Sequence, residues 1–197
     1  MASLMKYLSI LIDATIKTLA KLSNLILKTG QYPEQWNKPY LILLHKSGKK
    51  CDPSNYRGIS FINCVAKLFS AILNNRLKLL MKDKYSNSQF GFRENYRTSD
   101  SLFILKTLIN KYLYKNKTKL YLCFVDFQKA FDSVWRDGLL YKLANIGIGK
   151  YFYSTVKNML SKTEIALKID QKHSEYFEIF RGVKQETLLP PLSLISS

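Results

Sequence analysis

The sequence predicts an α+β fold in which helices and strands alternate irregularly. Three observations lead to it. Stretches with apolar residues at helical spacing are interleaved with short apolar runs of strand length, these follow no regular strand–helix–strand order, and no internal repeat, low-complexity tract or linker divides the chain. With 197 residues, 47% of them hydrophobic, the chain has enough apolar material for one ordinary core and too much for disorder, despite a formal net charge of +17.

Taken in order, Leu8, Leu11, Ile12, Thr15, Leu19, Leu22 and Ile26 fall on one helical stripe over residues 4–28, which Gly30 and Pro33 then stop. Lys6, Asp13, Lys17 and Lys21 interrupt this stretch, so it reads as an amphipathic helix and not as a signal peptide. Tyr40–His45 is a short buried-strand candidate, followed by KSGKKCDPSN, which is basic and dense in turn formers. Val65, Phe69, Ile72, Leu73, Leu77 and Leu80 mark a second amphipathic helix, and a third is expected over residues 99–115 with Thr98 or Ser99 as its N-cap. Residues 120–127 (LYLCFVDF) are too apolar to alternate, as expected of a strand covered on both faces. Helices follow at about 137–145, closed by Gly147, and at about 150–161, then strands at 164–169 and 176–180 around a polar turn.

Charge narrows the partners. Thirty-one Lys and Arg against 14 Asp and Glu suit a polyanion, with nucleic acid ahead of an anionic membrane surface. No span approaches the ~18 uninterrupted apolar residues of a membrane helix. Cys51, Cys64 and Cys123 are scattered, with no CxxC and no His pair, which supports neither a zinc site nor a disulfide framework; an intracellular, reducing location, cytoplasm or nucleus, is the expectation.

The chemistry centres on Asp126, a carboxylate at the end of an apolar run, where desolvation is costly unless a cation or hydrogen bonds offset it. In isolation such an Asp is more often a helix cap or an ion-pair partner than a metal ligand. Its context reads FVDFQKAFDSVWRDGLLYKL, which resembles the first carboxylate block of non-LTR (LINE-type) reverse transcriptases. Four further segments stand in that family's order: YPEQWNKPYLILLHKSGK, NYRGISFINCVAKLFSAILNNRL, QFGFRENYRTSDSLF and RGVKQETLLPPLSL.

The resemblance implies the fingers and part of the palm of a right-hand polymerase, with an N-terminal helix over residues 1–29, fingers over 30–118 and partial palm over 119–197. It implies an RNA-directed DNA polymerase acting on an RNA template, a DNA primer and dNTP. Asp126 and the carbonyl of Phe127 are then ligands for Mg²⁺, with Mn²⁺ as the alternative; phosphoryl transfer of this kind uses two such ions about 4 Å apart. Lys46, with Lys49 as the alternative, and Arg57 would close on the triphosphate. Phe131 would sit below the sugar and exclude a 2′-hydroxyl, a plain core aromatic being its other reading. Gln185 would lie near the sugar and the templating base. Phe90, Arg93 and Arg97, with Phe92 and Tyr96, form a basic-aromatic surface for phosphates and bases, whose plainer reading is an Arg-capped turn.

The sequence departs from the family pattern in three places. Gly58 stands where Pro is usual, Glu186 stands where Gly lets backbone approach the template, and no Asp-Asp pair occurs up to Ser197. The expectation is therefore a truncated domain without polymerase activity of its own. A non-catalytic RNA-binding module and an inert remnant are the alternatives.

Overall fold

A computed structural model describes residues 2–183. Helix α1 (Ala2–Thr29) stops where Gly30 adopts φ 72°, a left-handed conformation that only glycine takes without strain. A Cβ there would also lie 2.8 Å from the Cβ of Ser154 in α5 (Lys150–Leu160), so the chain turns hard against that helix. The junction is pinned by amides: Asn158 Nδ2 donates to the Gly30 carbonyl at 2.7 Å, and Asn37 Nδ2 donates to the carbonyls of Asn158 and Ser161 at 3.0 and 3.2 Å. Asn37 is buried, and these bonds offset the desolvation of its amide.

Helix α2 (Cys64–Met81) is capped by Asn63, whose side chain accepts the Val65 N–H at 2.8 Å. Phe69, Leu73, Leu77 and Met81 recur every fourth residue and form its buried stripe. They pack with Ile26 of α1, with Leu139, Leu140 and Leu143 of α4 (Arg136–Ile146), and with Val156, Met159 and Leu160 of α5. Tyr32, Trp36 and Phe69 stack at one end of this core, with Tyr32 and Trp36 edge-on at 5.4 Å. Gly147, at φ 83°, closes α4 as the sequence predicts.

Helix α3 (Thr98–Ile109) differs from expectation at its N-cap. Its N-cap is Arg97 and not Thr98 or Ser99, because the Asp100 carboxylate reaches back to the Arg97 N–H at 2.8 Å and fixes the first turn one residue earlier. Beyond Ile109 the helix continues to Lys115 as a π-helical turn. None of its residues is buried.

The sheet is mixed, with order β2-β1-β3-β4 and β5 pairing with the first half of β3. Strand β1 (Tyr40–His45) runs antiparallel to β2 (Tyr56–Phe61) and parallel to β3 (Thr163–Ile169). The short strands β4 (Lys172–His173) and β5 (Phe177–Ile179) are both antiparallel to β3. Strand β2 escaped the sequence pattern, because RGIS interrupts its apolar alternation. β1 is not buried as predicted: β3 reaches only as far as Ile42, so among the described residues Leu43, Leu44 and His45 have a strand neighbour in β2 alone, and Leu43 and Leu44 are exposed while His45 is half-buried. The ion pair Lys38–Glu164, at 2.7 Å, ties the entry of β1 to β3 and raises the Lys38 ammonium above its ordinary pKa.

The predicted strand at 120–127 is the main correction. The run pairs with no strand among the described residues, and Tyr121, Phe124, Val125 and Phe127 are each at least 70% exposed. Apolar character specifies burial, but a strand also needs a neighbour to take its N–H and C=O groups, and none of the described segments supplies it. Among the described residues no helix is long and apolar enough to cross a membrane.

Candidate functional site

The β1–β2 hairpin positions the first cations. Its tip is built by polar side chains: Asn55 Nδ2 donates to the Lys49 carbonyl at 3.0 Å, the Tyr56 hydroxyl to the Lys50 carbonyl at 2.9 Å, and the Asp52 carboxylate accepts the Ser54 N–H at 2.9 Å. Hydrogen bonding by the Ser54 side chain, and then by its N–H, lowers the Asp52 pKa. Gly48, at φ 86°, lets the tip close over Asn55. Lys46 leaves the end of β1 with its N–H bonded to the Asn55 carbonyl, and Arg57 sits in β2 opposite Leu44.

The opposite wall is the turn that follows the 120–127 run. The Asp132 and Ser133 N–H groups both donate to the Lys129 carbonyl, at 2.9 and 3.1 Å, and Lys129 takes φ 51°. This turn is stitched to residues 182–183 by Gly182 N–H to the Val134 carbonyl (3.0 Å) and Val183 N–H to the Phe131 carbonyl (2.9 Å). A Cβ on Gly182 would meet the Asp132 carbonyl oxygen at 2.7 Å, so the two backbones touch.

Between hairpin and turn lies a cleft of about 700 Å³. Lys46, Arg57, Asp126, Phe127 and Phe131 all line it, although they come from separate parts of the sequence. Phe131 lines the cleft and also packs against the helical core. Lys49 is not among the lining residues. Gln185 and Glu186 lie outside the described residues.

Three cations that sequence reasoning did not single out also reach the cleft: Lys129, Arg136 and Arg181. Arg136 is the most constrained. Its Nε donates to the Gly182 carbonyl at 2.9 Å, its Nη1 to the Leu160 carbonyl at 2.7 Å and its Nη2 to the Arg181 carbonyl at 3.4 Å. Burial lowers its pKa, and Glu178 opposes that shift. One signal was available: Arg136 opens α4, where the helix dipole disfavours a cation, so partners outside the helix were to be expected.

Asp126 and Asp132 are the acids of the cleft. The Asp126 carboxylate and the Phe127 carbonyl are oxygen donors of the kind Mg²⁺ prefers. Among the described residues, however, no three His, Cys, Asp or Glu side chains come together as a metal site, so these residues do not by themselves hold a pair of divalent ions.

The expected basic-aromatic surface lies elsewhere, on the turn before α3. Arg93 is held in place: its guanidinium lies 4.0 Å from the Tyr96 ring centre and 5.8 Å from that of Tyr85, and its Nη1 donates to the Ser86 carbonyl at 3.1 Å. Phe90 packs edge-on against Tyr96 at 5.7 Å, while the Arg97 side chain is exposed.

Fold and cleft together define a mixed α/β domain with a cation-rich cleft between a hairpin and an acid-bearing turn. Residues 44–192 match the reverse transcriptase (RNA-dependent DNA polymerase) family, and the chain belongs to it. Its relatives are polymerases of non-LTR retrotransposons. It is 32% identical over 185 residues to the RNA-directed DNA polymerase from mobile element jockey of Drosophila melanogaster, covering 91% of this chain and 20% of that protein. It is 31% identical over 177 residues to the probable RNA-directed DNA polymerase from transposon BS of the same organism, covering 88% and 19%. The chain thus spans about a fifth of the length of these relatives.

Proposed function

We propose that this chain is the fingers, over residues 30–118, and part of the palm, over residues 119–197, of an RNA-directed DNA polymerase of a non-LTR retrotransposon, and that the cleft receives the incoming dNTP. One observation carries the proposal: Lys46, Arg57, Asp126, Phe127 and Phe131, drawn from separate family blocks, line one cleft. Lys46 and Arg57 reach it from the hairpin and bind the triphosphate, Arg57 as a planar fork and Lys46 as a point charge. Asp126 and the Phe127 carbonyl face the reacting phosphate from the other wall. The Phe131 ring underlies the sugar and leaves no volume for a 2′-hydroxyl. Gln185 contacts the templating side, and an RNA template with its DNA primer runs past Arg93 and Arg97.

Members of this family use divalent metal ions, which would neutralise the triphosphate. Asp126 and the Phe127 carbonyl contribute the first oxygens, and further carboxylates are needed to complete that site. The residues described here bind and orient the nucleotide.

Titration of the chain with a fluorescent dNTP tests the reading. Wild type should bind saturably, and the Lys46→Ala, Arg57→Ala double variant about tenfold or more weaker, since each charge-assisted contact contributes about 1.5–3 kcal/mol. Equal affinity for the two proteins would refute it.

A further inference from the structure

Backbone bonds join the turn that carries Phe131 to the segment after β5. The Gly182 N–H donates to the Val134 carbonyl at 3.0 Å, and the Val183 N–H to the Phe131 carbonyl at 2.9 Å. This seam is close-packed as well as bonded, since a Cβ on Gly182 would meet the Asp132 carbonyl oxygen at 2.7 Å. Phe131 is therefore held against residues 182–183 by its own carbonyl, while its ring lines the cleft and packs on the helical core.

Arg136 in turn fixes the far side of the seam. Its Nε donates to the Gly182 carbonyl at 2.9 Å and its Nη2 to the Arg181 carbonyl at 3.4 Å, while Nη1 anchors it to the Leu160 carbonyl of α5 at 2.7 Å. The contacts close a ring: Gly182 donates to Val134 and accepts from Arg136, two residues further on. A guanidinium can span such carbonyls because its donors diverge in a rigid plane. The placement is costly, for the side chain is half-buried and stands at the positive end of the α4 dipole, where a cation is disfavoured.

Under the proposed function the Phe131 ring bars a 2′-hydroxyl by volume, and such a bar is only as sharp as the ring's position is fixed. The hydroxyl adds a single oxygen to the sugar, and a misplacement of about 1 Å, caused from a distance, can change the outcome about 100-fold. We propose that Arg136 is a positioning residue for sugar selection: through Gly182 and Val183 it fixes the Phe131 ring and so sets the preference of the cleft for 2′-deoxynucleotides. This role rests on the reading of the cleft as the dNTP site, and it assigns the sharpness of selection to a side chain that acts through the backbone. A direct contact of Arg136 with the triphosphate would instead serve dNTP and rNTP alike.

Competition of a matched dNTP and rNTP against a fluorescent dNTP, on the full chain, gives the ratio of the two affinities. That ratio does not depend on the folded fraction, so a variant that is only less stable keeps the wild-type value. Wild type should favour the dNTP, and Phe131→Ala should bring the ratio near one. Arg136→Met should lower the ratio about tenfold, chiefly by tighter rNTP binding, and Arg136→Lys should recover part of it. Gly182→Ala, which strains the seam without removing the charge, should lower it too. Adding Arg136→Met to Phe131→Ala should change nothing further, because both act on one contact. A wild-type ratio in Arg136→Met overturns the role of Arg136 and leaves the nucleotide site standing; should that variant not fold, a wild-type ratio in Arg136→Lys and Gly182→Ala overturns it equally. A wild type that binds both nucleotides alike overturns selection by Phe131 and this role with it, and failure to bind a dNTP at all overturns the site itself.

Discussion

The guanidinium of Arg136 holds the carbonyl of Gly182 at 2.9 Å, and with its other nitrogens it also reaches the carbonyls of Leu160 and Arg181. One side chain therefore joins the start of α4, the end of α5 and the segment after β5, where the floor of the cleft is made. Replacing it with Met removes the donors and leaves half-buried carbonyls unpaired. Arg136→Met should cost about 2–4 kcal/mol, since bonds from a charged donor contribute about 1.5–3 kcal/mol each. Denaturant titration should read this as a lower midpoint, and Arg136→Lys should recover only part of it, because an ammonium cannot fork between three carbonyls.

Gly182→Ala probes the same junction from the backbone side. At φ 81° an alanine is strained, and its Cβ would fall 2.7 Å from the Asp132 carbonyl oxygen, which belongs to the backbone and cannot swing aside. The expected loss is about 1–3 kcal/mol. Gly147→Ala is the control, since it shares the positive φ but meets nothing within 4 Å, and it should cost less.

The helical core should unfold as one unit. Leu73 is fully buried among α1, α2, α4 and α5, and Leu73→Ala should cost about 2–5 kcal/mol through lost burial and a residual cavity. A cooperative thermal transition, shifted down in this variant, is the expected calorimetric record. A broad transition insensitive to the substitution would favour the inert remnant.

The 120–127 run makes a different kind of prediction. Tyr121, Phe124 and Val125 are exposed apolar residues on a segment that pairs with no strand among the described residues, an arrangement that recruits other chains. Tyr121→Lys combined with Val125→Lys should lower binding of an apolar dye and slow aggregation, while the thermal midpoint stays nearly constant because neither side chain is packed.

The helices were legible because their apolar residues repeat at 3.6, and the end of α4 because Gly147 takes the left-handed conformation that closes a helix. β2 was not, since Gly58 and Ser60 break its alternation and it is defined by its register with β1. Residues 120–127 were over-read, because apolarity alone does not provide a strand with neighbours. At the cleft, Lys46, Arg57, Asp126, Phe127 and Phe131 could be named from family blocks, and their meeting is a matter of chain topology. Arg136 was passed over because the helix was expected to begin at residue 137, which hid its place at the start of α4.

The most direct test of the account is photocrosslinking with a dNTP that carries an azidoanilide on its γ-phosphate, followed by peptide mapping. Adducts are expected on the β1–β2 hairpin around Lys46 and Arg57 and on the 126–132 turn, all competed by unmodified dNTP. Competed adducts confined to other surfaces, such as α3, would contradict the nucleotide cleft.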